Sequence, residues 1–185
     1  GGLGTRLRSV VSDRPKPMAL VEGKPFLEYV LQGLKKSGID DIIFAVGYKG
    51  GMVEEYFGDG SRFGIRARYA YEEELLGTAG AIKNAGKYVT DEQFFVLNGD
   101  TFYQMDFGDL SRIQQEKNLE MALVLRGVPD ISRYGAARLT DGLLTAFNEK
   151  NGNTGAGTIN GGVYLMKRAL LDEIPEGKVS LENEC

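Results

Sequence analysis

Ile42-Ile43-Phe44-Ala45-Val46-Gly47 decides the fold class. Five apolar residues in a row, closed by a glycine, predict a strand buried in a parallel sheet. A second run, Phe94-Phe95-Val96-Leu97, ends on Asn98-Gly99-Asp100. Upstream, Pro25 suits the first position of a helix, Phe26, Leu27, Val30, Leu31 and Leu34 fall on one stripe, and Gly38 stops it. Between the two runs, Met52 to Phe57 predicts a short amphipathic helix. Ile65, Ala67, Tyr69 and Tyr71 predict a strand, and Thr78 to Tyr88 a helix of small residues. Strands alternating with helices imply an open, mostly parallel α/β sheet covered on both faces.

The rhythm then changes. A helix over Leu110 and Ile113 and a strand from Met121 to Leu125 precede a hairpin, with Tyr134–Leu139 and Leu143–Asn148 joined at Thr140-Asp141-Gly142. A strand from Thr158 to Met166 and a helix from Arg168 to Ile174 follow. No repeat, low-complexity segment or linker separates this third from the rest, so it extends the same domain.

Composition narrows the chemistry. The 185 residues carry a formal net charge of −4, which offers no electrostatic footprint for nucleic acid or an anionic membrane. No apolar run approaches the roughly 18 residues of a membrane span, and no signal-peptide pattern opens the chain. The single cysteine, Cys185, is the last residue. These features point to the cytoplasm; oligomeric state is not legible. Histidine is absent, which removes the commonest general base and imidazole metal sites. Catalysis would rest on carboxylates, lysines, arginines, backbone amides and a hard cation such as magnesium. Glycine, at 26 residues, stands at about twice its usual share.

In such sheets ligands bind beyond the carboxyl ends of the strands. Four segments fall there: Gly1-Gly2-Leu3-Gly4-Thr5-Arg6, Gly47-Tyr48, Leu76-Gly77-Thr78 and Asn98-Gly99-Asp100. Three glycines in four positions let backbone N–H groups approach an anion, and Arg6 adds a bidentate phosphate partner. Taken alone, the loop fits a glycine-rich terminus equally well. It is not a dinucleotide fingerprint, because Leu7 takes the place of the last glycine, and no Gly-Lys-Thr/Ser makes it a Walker A loop. A nucleotide-binding redox domain therefore lacks its fingerprint. Pro15 and Pro17 hold Lys16 in an extended segment that cannot be helical. Beside a phosphate-binding loop its ammonium becomes a clamp; elsewhere it would be a solvated lysine. Asp100 suits magnesium, and an Asx turn or helix cap accounts for it equally well.

Gly1-Gly2-Leu3-Gly4-Thr5-Arg6-Leu7, Pro15-Lys16-Pro17 and Gly23-Lys24-Pro25 resemble the signature of the sugar-1-phosphate nucleotidyltransferases. The match continues through Leu76-Gly77-Thr78-Ala79-Gly80, Asn98-Gly99-Asp100, Tyr134-Gly135, Asn148-Glu149-Lys150 and Asn160-Gly161-Gly162-Val163-Tyr164, in family order along almost the whole chain. Arg8 to Asp13 and Ser180-Leu181-Glu182 look most like the heptose-1-phosphate guanylyltransferase branch.

The resemblance implies the Rossmann-like nucleotide-diphospho-sugar transferase fold and a set of roles. Gly1, Gly2, Gly4, Thr5 and Arg6 would hold the triphosphate, and Arg6 and Lys16 would stabilise charge at the reacting phosphates. Gly77 and Thr78, with the loop around Glu74, would contact the base. Asp100 would bind Mg2+. Gly135, Glu149, Lys150 and Asn160 would line the sugar-phosphate pocket, although Glu149 and Lys150 also suit a surface charge pair ending a strand. The implied reaction joins a nucleoside triphosphate, with GTP the first choice, to a heptose or hexose 1-phosphate. It needs no general base, because a phosphate monoester is already anionic near neutral pH. The alternative is a non-catalytic regulatory homologue of the same fold.

Three departures stand out. Leu75 replaces a proline common ahead of Leu-Gly-Thr, and the family's strand ahead of Gly1 and its C-terminal segment, which carries a second metal aspartate, are missing. The expectation is a single domain over 1–185, truncated at both ends.

Overall fold

The structure is a computed structural model that describes residues 13–148 and 154–182. Two short strands, β1 (Leu20–Val21) and β2 (Lys24–Pro25), pair antiparallel across the Glu22-Gly23 turn and deliver the chain to α1 (Phe26–Lys36). Pro25 caps this helix from an extended conformation, and Leu27, Val30, Leu31 and Leu34 form its buried stripe. It ends where Gly38 turns to a φ of +77°, which lets the Ile39 N–H return to the Leu34 carbonyl at 3.0 Å.

β3 (Asp41–Val46) and β4 (Arg66–Tyr71) pair in parallel, from Asp41 opposite Arg66 to Val46 opposite Tyr71. Between them lie α2 (Gly51–Phe57) and a 3-10 turn at Ser61–Phe63. The apolar run in β3 is buried on one face: Ile42, Phe44 and Val46 are covered, Ile43 is half-buried and Ala45 is exposed. The Phe44 ring lies between the rings of Phe57 and Tyr69, at centroid distances of 5.5 and 5.3 Å.

α3 (Gly77–Gly86), β5 (Gln93–Leu97), α4 (Phe107–Glu116) and β6 (Met121–Val128) follow, then β7 (Ala136–Thr140), β8 (Leu143–Asn148), β9 (Gly157–Lys167) and α5 (Leu170–Glu173). β9 organises this half. β6 runs along one of its edges and β5, with the tip of β7, along the other. Its side chains alternate between two cores. Val163 and Leu165 join Leu31, Phe44, Phe107 and Leu110, whereas Tyr164 and Met166 join Ala79, Ile82, Ile174, Val179 and Leu181. A strand buried on both faces, with α4 on one side and α3 and α5 on the other, is the layering of an α/β domain.

The α/β class and the two-faced helix cover are as the sequence implies. The expected parallel pairing is found at β3–β4, and the other described pairings are antiparallel. An apolar run encodes burial, not direction: Phe94 to Leu97 reads the same whichever way its neighbour runs. The terminal helix is also shorter than the predicted Arg168–Ile174, beginning at Leu170 and ending at Glu173.

Candidate active site

β3 and β4 run parallel and end on the same side. β9 runs antiparallel to β5, so its early residues lie beside the end of β5. Leu97 pairs with Val163, and the Asn98 N–H donates to the Gly162 carbonyl at 2.8 Å. This contact places Asn98-Gly99-Asp100 beside Asn160-Gly161-Gly162. The glycines permit it. A Cβ on Gly162, whose φ is +73°, would lie 2.6 Å from Asn98 Nδ2, and one on Gly161 would lie 2.7 Å from the Val124 carbonyl of β6.

Lys16 approaches the same place from the amino-terminal side. Pro15 is extended, as expected, but Lys16–Met18 is a 3-10 turn rather than an extended segment. Pro17 occupies an early turn position that needs no N–H donor, so the two prolines initiate the turn. The turn is tied by the Met18 N–H to the Pro15 carbonyl at 2.8 Å and anchored by the buried Met18 side chain. The Pro17 ring packs against Gly99, where a Cβ would stand 3.2 Å from Pro17 Cγ. The result is an ion pair between this turn and the loop after β5, with Lys16 Nζ 3.5 Å from Asp100 Oδ2. Both side chains keep access to solvent, 31% and 49% exposed, and are open to a ligand.

The loop entering α3 is a second element of the candidate site. Glu72 is buried at the end of β4, and its Oε2 accepts the Leu76 N–H at 3.2 Å. Glu74 lies on the exposed part of this loop. Gly77 has a φ of +72°, and a Cβ there would lie 2.4 Å from the Val179 carbonyl. The chain at Val179 is bound on both sides: its N–H donates to the Leu76 carbonyl at 2.8 Å, and its carbonyl accepts the Ala79 N–H at 3.0 Å. Thr78 Oγ1 accepts the Leu181 N–H at 2.8 Å. The Leu-Gly-Thr segment is therefore a joint between α3 and residues 177–182 as well as an expected base contact.

Asn160 is held at the start of β9. Its Oδ1 accepts the Gly162 N–H at 2.8 Å, and its Nδ2 donates to Glu182 Oε1 at 2.8 Å and to the Tyr164 hydroxyl. Burial pushes the Tyr164 phenol above its ordinary range. Gly135 precedes β7, whose Ala136 pairs with Ile159 next to Asn160. Lys16, Asp100, Asn160 and Gly135 are thus brought to one side, with Glu74, Gly77 and Thr78 on the loop beyond β4. Gly1, Gly2, Gly4, Thr5, Arg6, Glu149 and Lys150 lie outside the described residues. Glu72, Tyr164 and Glu182 were not singled out as site residues from the sequence. The Ser180-Leu181-Glu182 motif was the available signal for Glu182, but its contact with Asn160 is not visible in one dimension.

Among the described residues no group of three or more histidines, cysteines, aspartates and glutamates gathers to hold a metal. A lone accessible carboxylate such as Asp100 nevertheless fits magnesium, which usually takes one or two carboxylates together with substrate phosphates. No described helix is long and apolar enough to cross a membrane.

The model of the Nucleotidyl transferase family matches residues 1–184. The chain belongs to that family. It is 42% identical over 185 residues to the D-glycero-alpha-D-manno-heptose 1-phosphate guanylyltransferase of Aneurinibacillus thermoaerophilus, covering 100% of this chain and 80% of the relative. It is 43% identical over 174 residues to the enzyme of the same name from Campylobacter jejuni, covering 94% of this chain and 76% of the relative. The structure of HddC from Yersinia pseudotuberculosis complexed with GMP-PN superposes with a TM-score of 0.85 at 35% identity, over 99% of this chain and 80% of that one. The fold of this nucleotidyl transferase is thus the nucleotide-diphospho-sugar transferase fold that its sequence resembles.

Proposed function

We propose that this chain joins GTP to a sugar 1-phosphate, giving a GDP-sugar and pyrophosphate, with a heptose 1-phosphate as the preferred acceptor. The observation that carries the reading is the pairing of Lys16 with Asp100 at 3.5 Å, just past the end of β5 where β9 lies beside it. The two guanylyltransferase relatives and the GMP-PN complex of HddC support the choice of base and sugar.

The reaction places a phosphate oxygen of the sugar 1-phosphate on the α-phosphorus of GTP. The bond from that phosphorus to the oxygen bridging toward the β-phosphorus breaks, and its electron pair leaves with pyrophosphate. No proton has to be removed from the attacking oxygen, so a chain without histidine has the groups it needs. Lys16 exchanges its contact with Asp100 for the negatively charged phosphate oxygens and stabilises the charge that builds on them. Arg6 joins it, Gly1, Gly2, Gly4 and Thr5 cradle the triphosphate, and Glu74, Gly77 and Thr78 flank the base. Gly135, Glu149, Lys150 and Asn160 hold the sugar phosphate in line. Asp100 is the residue that would hold Mg2+, which when bound neutralises phosphate charge. We place this single nucleotidyltransferase domain in the cytoplasm, where its phosphorylated substrates are at hand.

Pyrophosphate release tests the reading. GTP with D-glycero-D-manno-heptose 1-phosphate and magnesium should give the fastest release among four triphosphates and a panel of sugar 1-phosphates. No release with any pair would leave the non-catalytic homologue as the better reading.

A further inference from the structure

The Asn160 carboxamide has nearly all of its hydrogen-bonding capacity committed inside the protein. The Gly162 N–H donates to Oδ1, and a backbone donor at that position fixes which end of the amide is oxygen. Nδ2 then gives one hydrogen to the Tyr164 hydroxyl and the other to Glu182 Oε1. A primary amide has two donor hydrogens and two acceptor lone pairs, so one lone pair on Oδ1 remains. Glu182 is itself held in place. The preceding residue, Leu181, is buried and its N–H is bound to Thr78 Oγ1, while Val179 is bound to both ends of the first turn of α3.

We propose that Glu182 is a positioning residue for the sugar side of the cleft. By taking the second donor hydrogen of Asn160, it leaves Asn160 able to meet a sugar 1-phosphate only as an acceptor. Asn160 therefore receives a hydrogen bond from one hydroxyl of the sugar and does not donate to its phosphate. This rests on the function proposed above. The carboxylate makes the contact charge-assisted, which holds the amide more firmly than a neutral partner would. Because Leu181 and Glu182 are adjacent, the same short segment braces the α3 loop and orients Asn160.

The test is steady-state kinetics of the full chain carrying Glu182→Ala, Glu182→Asp or Glu182→Gln, with GTP and with sugar 1-phosphates lacking one ring hydroxyl at a time. Glu182→Ala should raise the KM for the sugar 1-phosphate roughly tenfold or more, the scale of losing one charge-assisted hydrogen bond, and leave the KM for GTP in place. Glu182→Asp, one methylene too short to reach, should behave the same way. Glu182→Gln keeps an acceptor oxygen and should recover most of the loss. In the wild type one deoxy sugar should be strongly disfavoured, and in Glu182→Ala that preference should collapse while the others persist. The proposal is overturned if both KM values rise together, if Glu182→Gln is no better than Glu182→Ala, or if the deoxy-sugar pattern is unchanged. Should Glu182→Ala not fold, Glu182→Asp against Glu182→Gln carries the same comparison. A wild type that makes no sugar nucleotide refutes the underlying function, an outcome distinct from active variants whose sugar preference does not move.

Discussion

Lys16 Nζ lies 3.5 Å from Asp100 Oδ2, although 84 positions separate the two residues in the chain. The contact joins a proline-framed turn to the end of β5, and the packing of Pro17 on Gly99 holds the two backbones at that spacing. An exposed ion pair of this kind contributes little to stability. Under the proposed function, its value lies in setting a cation that can move beside the carboxylate assigned to the metal.

Lys16→Met should therefore separate activity from stability. Turnover is expected to fall by about a hundredfold or more, the usual consequence of losing one charge-stabilising donor. Stability should change by less than about 1 kcal/mol. Pyrophosphate release and thermal melting of the same preparation check both numbers, and near-wild-type turnover removes Lys16 from the reaction.

Activity should require magnesium or manganese and vanish with a chelator. Asp100→Asn removes the charge that attracts the ion, so its metal titration should shift to higher concentration and its maximal rate should fall. Full activity of the wild type in excess chelator would exclude Asp100 as a metal ligand.

Gly77→Ala should be costly. The added Cβ would sit 2.4 Å from the Val179 carbonyl on a backbone with φ of +72°, so strain and collision coincide. Destabilisation of more than about 2 kcal/mol is expected, with faster hydrogen exchange at Val179 and Leu181, whose N–H groups are bonded to this joint. An unchanged melting midpoint would mean that residues 177–182 do not pack against α3 as described.

Tyr69 links stability to alkaline pH. Burial, reinforced by the Glu54 carboxylate, pushes its phenol up to about 12 from the ordinary 10.0, and its hydroxyl donates to the Gly58 carbonyl at 2.6 Å. A raised folded-state pKa means that this contribution is complete below the unfolded value and is lost as pH rises toward the folded one. The melting temperature should fall between about pH 10 and pH 12, and Tyr69→Phe should flatten that part of the curve. An identical slope in the variant would assign the effect to other groups.

The elements were legible because their signals are local. The stripe from Leu27 to Leu34, the stop at Gly38 and the turn at Asp141-Gly142 are each written within a dozen residues. What escaped is non-local. Nothing near Phe94–Leu97 says that β9 will lie beside it in the opposite direction. Lys16 and Asp100 were readable as chemistry, yet their meeting depends on Pro17 fitting against Gly99. The resemblance marks Thr78 as an expected nucleotide contact, whereas its bond to Leu181 spans 103 residues. Gly161 and Gly162 belong to a recognisable motif, but the physical need for them comes from Val124 and Asn98, which only the fold brings near.

Phosphorus NMR of the full chain with GTP, D-glycero-D-manno-heptose 1-phosphate and magnesium tests the central claim most directly. Pyrophosphate and a GDP-sugar should appear in equal amounts as GTP and the sugar phosphate disappear together, with Lys16→Met slowing both signals alike. GTP that persists unchanged, or that breaks down without a sugar nucleotide forming, would contradict the account.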